Sequence, residues 1–335
     1  MNAKFFSLFL GAFSLALIPT ISNGQVLYTE DFDINHTANW TANSGPGNNS
    51  ANFFFDYNSV GIPSAPHSVG GTTLGLQLRA NFATVGALTG ISASPNGQIF
   101  SGDYRVTYDF WENMNGNANG GGSGTTQITG GGIGTSGTVA QHAGSTTMDS
   151  LWFAQTGDGG NSQNSKDYRA YSSIAVGGGT SGNTGVGYNT NSGAYAAGTA
   201  ASVSDSANPY YASLGGNVVP AAQTAITPTQ TGTTAAGAPA FKWHTGQIIK
   251  SGNTVNYSID GLLIFSVDAT TLAFGGGNIE LIQSDVNSGV STDPTATTYE
   301  FGLFDNILVE VPEPATGTLL LLGAAGLFFA RRRVK

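Results

Sequence analysis

Histidines and carboxylates are the residues of this chain best suited to acid–base or metal chemistry. The four histidines are His36, His67, His142 and His244. No two of them are spaced as a metal-binding pair, so we expect separate surface or loop histidines. The chain has no cysteine, which excludes thiol nucleophiles and thiolate metal sites. The sequence therefore supports no assignment of a catalytic residue, and it leaves metal binding open.

An acidic segment at residues 31–35 (DFDIN) superficially resembles the start of a calcium loop. An EF-hand loop has glycine at its sixth position and glutamate at its twelfth, where this chain has His36 and Ala42. We therefore interpret the segment as a strand with outward carboxylates and predict no cofactor. Calcium held elsewhere, by carboxylates and loop carbonyls near Asp149 or Asp158, stays open.

Tryptophan and amide side chains could bind a carbohydrate. Aromatic faces pack on sugar rings, while Asn and Asp hydrogen-bond the hydroxyl groups. Trp111 and Trp152, with Asn113 and Asp158 nearby in sequence, are the candidate ligand-binding residues. Core packing is the competing interpretation, and it is favoured for a tryptophan within a strand.

Short β-strands are the elements that must position these side chains. In residues 103–113 (DYRVTYDFWEN), Tyr104, Val106, Tyr108 and Phe110 fall on one face. The same period of two recurs in residues 253–261 and 301–311, and it predicts half-buried antiparallel strands. In the last of these segments the alternation places four apolar residues on one face: Phe301, Leu303, Ile307 and Val309.

Turn chemistry and composition complete the prediction of the fold. Asp260-Gly261 separates two strand-like runs and predicts a tight hairpin. Residues 113–146 and 171–240, rich in Gly, Ser, Thr and Asn, are predicted to be long surface loops. We find no amphipathic helix between the termini. The sequence thus predicts an all-β fold: an antiparallel β-sandwich of the jelly-roll type with long loops.

The N-terminus has the pattern of a secretory signal peptide. Lys4 precedes an apolar run at residues 5–18, and the small residues Ser22 and Gly24 follow. We predict a signal peptide at residues 1–24 and cleavage by signal peptidase after Gly24.

The C-terminus has a second targeting pattern. Residues 311–314 (VPEP) precede an apolar stretch at residues 315–330 and a basic tail at residues 331–335 (RRRVK). A helix over the apolar stretch would reach about 24 Å, short of a hydrocarbon core of about 30 Å. The basic anchor is expected to stay cytoplasmic, which leaves the preceding domain outside. It comprises Arg331, Arg332 and Arg333.

This three-part tail resembles the PEP-CTERM sorting signal, with Pro312, Glu313 and Pro314 as its motif. The resemblance implies a Gram-negative host, a transient anchor in the inner membrane and processing by an exosortase-type enzyme. It also implies delivery to the outer surface or to an exopolysaccharide matrix. A plain C-terminal membrane anchor is the alternative, because helix length alone does not separate the two.

The exported domain, residues 25–310, resembles a concanavalin A-like lectin/glucanase or laminin-G-like sandwich. The resemblance rests on four segments: EDFD, DYRVTYDFWEN, SGNTVNYSIDGLLIFSVD and FGLFDNILVEV. It implies that the opening and closing strands are neighbours in one sheet. Glucanases of this fold carry Glu, Asp and Glu at alternate positions of one strand, and no glutamate here has an Asp two residues later. Asp109 and Glu112, three residues apart, should face opposite sides of a strand.

Charge narrows the function. Residues 25–310 contain 19 acidic and 6 basic residues, a net charge of −13, so nucleic acid and anionic lipid are excluded as partners. We expect an exported, non-enzymatic cell-surface or matrix protein that binds polysaccharide. The alternatives are a polysaccharide-active hydrolase or lyase with an unrecognised site, and a surface protein that self-associates through its loops.

Overall fold

The computed structural model describes residues 24–82, 88–118, 126–157, 167–172, 186–187, 194–197, 208–286 and 296–312. Residues 1–23 of the predicted signal peptide, Asp158, Glu313 and Pro314 of the predicted motif, and the predicted C-terminal helix with its basic anchor lie outside the described residues. Within them, no helix is long and apolar enough to span a membrane. Residues Val26–Val311 form one compact unit, which contains the strands of both sheets and the described core.

Two sheets make up the described structure, and every pairing with a defined register is antiparallel. The first sheet contains β1 (Gln25–Glu30), β3 (Ser50–Asp56), β4 (Leu74–Arg79), β6 (Tyr104–Asn113), β11 (Trp243–Ser251), β12 (Thr254–Ile259), β13 (Leu262–Asp268) and β15 (Phe301–Val311). The second contains β2 (Trp40–Ser44), β5 (Thr89–Pro95), β7 (Gln127–Thr135), β8 (Leu151–Thr156), β9 (Tyr168–Ser172), β10 (Val186–Gly187) and β14 (Asn278–Asp285).

The order of strands in the first sheet is β13-β12-β11-β6-β15-β4-β3, with β1 also paired to β15. The second sheet has the order β10-β9-β8-β7-β14-β5-β2. The pairing of β1 with β15 confirms that the opening and closing strands are neighbours. Two short helices of six and four residues, α1 (Ala221–Ile226) and α2 (Ala296–Tyr299), connect strands.

Alternation of apolar residues builds the core between the sheets. Tyr104, Val106, Tyr108 and Phe110 are all buried in it, as predicted. The hairpin at Asp260-Gly261 is also confirmed, since both residues have positive φ, +50° and +79°. That backbone suits a two-residue turn between β12 and β13.

The closing strand departs from the predicted alternation. Asp305 pairs with Asp109 but Leu308 pairs with Thr107, so β15 has one extra residue at this point. This is a β-bulge, and Asn306 within it has a φ of +52°. Phe301 and Leu303 therefore lie in an apolar cluster on the outer face, whereas Ile307 and Val309 face the core.

One predicted surface loop contains a central strand. Within residues 113–146, β7 is buried along its whole length and pairs with both β8 and β14. A Cβ at Gly130 would lie 1.8 Å from the carbonyl oxygen of Phe153, so glycine permits this close approach. The prediction of a long loop is therefore wrong for residues 127–135. Within residues 171–240, Tyr211 and Leu214 belong to the core rather than to the surface.

Candidate functional site

A cleft of about 540 Å³, here called the outer cleft, opens on the outer face of the first sheet. Strands β1, β6, β11 and β15 supply its walls, because residues that alternate with the core positions point to this face. Its lining residues are Thr29, Glu30, Asp31, His67, Arg105, Thr107, Thr245, Gln247, Asn306, Ile307, Leu308 and Glu310.

Beside the outer cleft lies a buried carboxylate pair. Asp109 and Asp305 stand directly opposite each other on β6 and β15, and they are 0% and 1% exposed. Cross-strand neighbours have Cβ atoms about 5 Å apart, so the two carboxyl groups interact electrostatically. The bulge in β15 also brings the Asn306 side chain to this face, where its amide contacts Asp109.

Asp109 accepts hydrogen bonds at both oxygens. Its Oδ1 lies 3.1 Å from Thr245 Oγ1 and 2.8 Å from His67 Nδ1. Its Oδ2 accepts from the backbone N–H of His67 at 3.1 Å and from Asn306 Nδ2 at 3.0 Å. Four donors thus occupy this carboxylate and hold it as a structural acceptor.

Asp305 is held by three hydrogen bonds. Its Oδ2 accepts from the hydroxyls of Tyr57 and Ser68, each at 3.0 Å, and its Oδ1 accepts from the backbone N–H of Asn306 at 2.8 Å. Burial raises the pKa of Asp305 from its ordinary 3.8 to about 7. The hydrogen bonds oppose this rise in pKa, and the charge of Asp109 adds to it. Near neutral pH, Asp305 therefore exchanges a proton.

The connection between β3 and β4, residues 57–73, is here called the strap. Its His67 and Ser68 bind the two carboxylates, and the carbonyl oxygen of Pro63 accepts a 2.7 Å hydrogen bond from Trp243 Nε1. The Tyr57 ring meets the edge of Trp243 at 5.1 Å. The strap therefore covers the apolar part of the outer face and closes one end of the outer cleft.

Polar side chains lie within reach of the open part of the outer cleft. Arg105 Nε donates to Glu310 Oε1 at 2.9 Å, and these side chains are 36% and 13% exposed. The His67 side chain is 59% exposed, although its Nδ1 contacts Asp109. Gln247 and Thr107 add an amide and a hydroxyl. The cleft thus offers hydrogen-bond donors and acceptors, and contacts with Glu310 and Asp109 hold the Arg105 and His67 side chains in place.

A second cavity of about 350 Å³, here called the edge cavity, lies on the other side of the end of β1. Thr29 and Glu30 line both cavities. Glu30 Oε1 accepts from the N–H of Phe32 at 2.9 Å and lies 3.0 Å from His36 Nδ1. The partly exposed Tyr28 ring also lines the edge cavity.

Trp111, Asn113 and Trp152, the candidate ligand-binding residues within the described part of the chain, lie apart from both cavities. Trp111 is 1% exposed, and its Nε1 donates to Asn113 Oδ1 at 3.2 Å. Asn113 is buried and donates to the carbonyl oxygen of Tyr299 at 2.8 Å. Trp152 belongs to the second sheet, is 0% exposed and stacks on Tyr171 at 4.2 Å. A ligand-binding role for these side chains stays a prediction that the geometry does not favour.

Two of the four histidines are buried, contrary to expectation. His244 is 1% exposed, with Nδ1 lying 2.8 Å from Asp260 Oδ2 and Nε2 lying 3.0 Å from the carbonyl oxygen of Pro239. His142 is 5% exposed, and burial lowers its pKa. Both rings serve packing and hydrogen bonding.

The acidic segments considered for calcium also have structural partners. β1 ends at Glu30, and the Asp31 carboxylate accepts from the N–H of Asp33 at 3.1 Å, so residues 31–35 begin a turn rather than continue a strand. Asp149 accepts from Thr135 Oγ1 at 2.9 Å and from Gln141 Nε2 at 2.7 Å. In the described part of the chain, no group of three or more His, Asp or Glu side chains has a metal-binding arrangement.

The comparisons with known proteins bear first on the C-terminus. The model of the PEP-CTERM protein-sorting motif matches residues 310–334. The chain ends in a PEP-CTERM sorting motif. The sorting motif predicted from the sequence is thereby confirmed, and PEP-CTERM signals imply export, a membrane-anchored sorting tail and processing by an exosortase-type enzyme. No curated protein matches the chain at a significant level.

Solved structures with a similar fold include the laminarinase catalytic domain from Thermotoga maritima, at 12% identity and a TM-score of 0.41, covering 88% of this chain and 100% of that one. A β-glucanase from Bacillus licheniformis has 12% identity and a TM-score of 0.36, and the match covers 87% of this chain and 100% of the glucanase. The carbohydrate-binding module CBM66 from Bacillus subtilis has 9% identity and a TM-score of 0.33, with 81% and 95% covered. The strand topology itself establishes the sandwich.

Proposed function

We propose that this is an exported, non-enzymatic surface or matrix protein that binds a neutral polysaccharide in the outer cleft. The observation that carries the proposal is the open wall of the cleft. There, Arg105, Gln247 and His67 present donors and acceptors on strands or on a strap that hydrogen bonds hold in place. Preorganised polar groups of this kind suit the hydroxyl groups of a sugar.

Charge favours a neutral ligand over an acidic one. Glu30, Asp31 and Glu310 line the cleft together with a single arginine, Arg105. Residues 25–310 carry a net charge of −13. An anionic polymer would be repelled both by the cleft and by the domain as a whole.

The state of the carboxylates supports binding rather than hydrolysis. A glycosidase needs one carboxylate as nucleophile or base and another as acid, both facing the sugar. Asp109 instead directs its oxygens to four protein donors and is 0% exposed. The titrating Asp305 is 1% exposed and bonds to the strap.

Sorting completes the proposal. The chain divides into a signal peptide at residues 1–24, the sandwich at residues 25–310 and the sorting signal at residues 311–335, with a transmembrane helix at residues 315–330. Pro312, Glu313 and Pro314 mark the processing site, and the arginines at 331–333 keep the tail cytoplasmic until release to the surface or matrix of a Gram-negative cell. Mass spectrometry of the mature protein tests this, since an intact C-terminus through Lys335 would refute processing.

Retention on immobilised polysaccharides tests the binding. The sandwich, residues 25–311, is applied to neutral polymers (β-glucan, xylan, starch) and to an acidic one (alginate). We expect retention on a neutral polymer, and Gln247→Ala should weaken it about fivefold, the value of one hydrogen bond. Asn256→Ala, an amide on the neighbouring strand outside the cleft, is the matched control. Retention on no polymer, or equal effects of both variants, would refute the proposed cleft.

A hydrolase is the second candidate, and the pKa of Asp305 favours it. A carboxyl group with a pKa of about 7 beside another carboxylate is typical of acid–base catalysts. Release of reducing ends from a retained polymer, abolished by Asp305→Asn in a folded protein, would establish hydrolysis and reject the non-enzymatic proposal.

A further inference from the structure

The end of β1 lies between the outer cleft and the edge cavity. Thr29 and Glu30 line the outer cleft on one side and the edge cavity on the other. Volumes of about 540 Å³ and about 350 Å³ both lie in the range of small-ligand sites. A ligand that crosses these two residues would therefore occupy both cavities, and only an extended molecule could do so.

Tyr28 gives the edge cavity an aromatic surface. The ring is partly exposed, and its edges are supported by Trp40 at 6.3 Å and Phe100 at 6.4 Å between centroids. Both supporting rings are buried, at 5% and 7% exposure. The Tyr28 ring is therefore held in one orientation before any ligand binds, which lowers the entropy cost of stacking on it.

Amide groups line the edge cavity together with this ring, and two hydrogen bonds hold one of them, that of Asn96. Asn96 Nδ2 donates to the carbonyl oxygen of Ala38 at 3.0 Å, and Asn96 Oδ1 accepts from Thr41 Oγ1 at 2.6 Å. Asn39 and Gln98 add two further amides to the wall. An aromatic face with amides at its rim matches a sugar ring, which has apolar C–H faces and hydroxyl groups around its edge.

Glu30 lies beneath the surface that separates the two cavities, and its carboxylate does not extend into either cavity as a free charge. Its side chain is 4% exposed, and its oxygens accept from Trp40 Nε1 at 3.3 Å and from the N–H of Phe32 at 2.9 Å. The exposed Thr29 therefore forms the surface over which a chain would pass.

We propose that the outer cleft and the edge cavity form one binding site for a linear neutral polysaccharide, with one sugar unit stacked on Tyr28. This deepens and rests on the proposed function. It names an aromatic contact, Tyr28, that the sequence-derived tryptophans do not provide. A linear chain binds more tightly as it lengthens until both cavities are filled.

Calorimetry with oligosaccharides of increasing length tests the proposal. The probes are laminari-, cello- and xylo-oligosaccharides from disaccharide to octasaccharide, with the sandwich of residues 25–311. We expect the affinity of the retained series to rise at least about tenfold between the shortest and the longest probe. Tyr28→Ala should lower the affinity for the long probes about tenfold. The affinity for the short probes, which bind in the outer cleft alone, should not change.

Three more variants separate stacking on the Tyr28 ring from effects on folding. Tyr28→Leu keeps an apolar side chain against Trp40 and Phe100 but has no aromatic face. This variant should lose affinity for the long probes while its free energy of unfolding stays close to that of the wild type. Tyr28→Phe should bind as the wild type does. Asn96→Ala should also weaken only the long probes.

The outcomes distinguish the two proposals. Binding that does not depend on chain length, or that Tyr28→Leu leaves unchanged, overturns the extended site alone and leaves the outer cleft standing. Absence of binding to every neutral polymer and oligosaccharide overturns the proposed function and the extended site together.

Discussion

Asp305→Asn should change how the stability of the sandwich depends on pH. Asp305 has a pKa raised from 3.8 to about 7 by burial. The folded state therefore binds more protons than the unfolded state between about pH 4 and about pH 7. The free energy of unfolding should fall as pH rises through this window, because an ionised carboxylate then stays buried.

The structure bounds the size of the effect. The difference between a pKa of 3.8 and one of about 7 corresponds to at most about 4 kcal/mol in the free energy of unfolding. Relaxation around the charge should reduce the measured effect toward about 2 kcal/mol. Asparagine imitates the protonated acid. Its oxygen can accept from the N–H of Asn306, and its amide can donate to the hydroxyls of Tyr57 and Ser68.

Urea unfolding at about pH 4 and about pH 8, followed by tryptophan fluorescence, measures this difference. We expect Asp305→Asn to match the wild type at the lower pH and to exceed its stability at the higher one. Asp268→Asn is the control, since Asp268 is exposed and hydrogen bonds from Thr270 lower its pKa. An equal effect of Asp305→Asn at both pH values, or greater relative stability at low pH, would refute the assignment.

Four further substitutions test the hydrogen-bond network at Asp109 and the packing of the second sheet by urea unfolding. Asp109→Ala removes the acceptor of four hydrogen bonds and should lower the free energy of unfolding by about 3 kcal/mol, against about 1 kcal/mol for Thr245→Ala; equal losses would contradict the network. Gly130→Ala should cost about 3 kcal/mol because its Cβ meets Phe153, and a neutral result would argue against the β7–β8 approach. Trp152→Ala should cost about 4 kcal/mol while the remaining folded protein still binds polymer, whereas lost binding would support a ligand role for Trp152.

Apolar alternation in the sequence predicted several strands of the first sheet. Residues 104–110 and 254–268 show a period of two, and the structure confirms both the strands and the hairpin at Asp260-Gly261. β7 was missed because four of its nine residues are glycine, and only Ile128 and Ile133 are large and apolar. Glycines at 130 and 132 allow the close approach to β8. From composition alone, such a glycine-rich segment is expected to be a loop.

The site was harder to predict because three distant segments form it. The register of β6 and β15 brings Asp109 opposite Asp305, and the strap adds His67 from 42 residues earlier in the chain. Only one local signal existed. The polar pair Asp305-Asn306 interrupts the apolar alternation of the closing strand, and such an interruption is typical of a β-bulge.

Chemical modification of histidines tests the central claim most directly, namely that polysaccharide binds at the outer cleft. Diethyl pyrocarbonate should modify His67 and His36, whose side chains are 59% and 37% exposed, and should spare the buried His142 and His244. With a retained neutral polymer present, we predict that modification of His67 slows markedly, and that an acidic polymer has no effect. An unchanged rate at His67 while the polymer is bound would contradict the account.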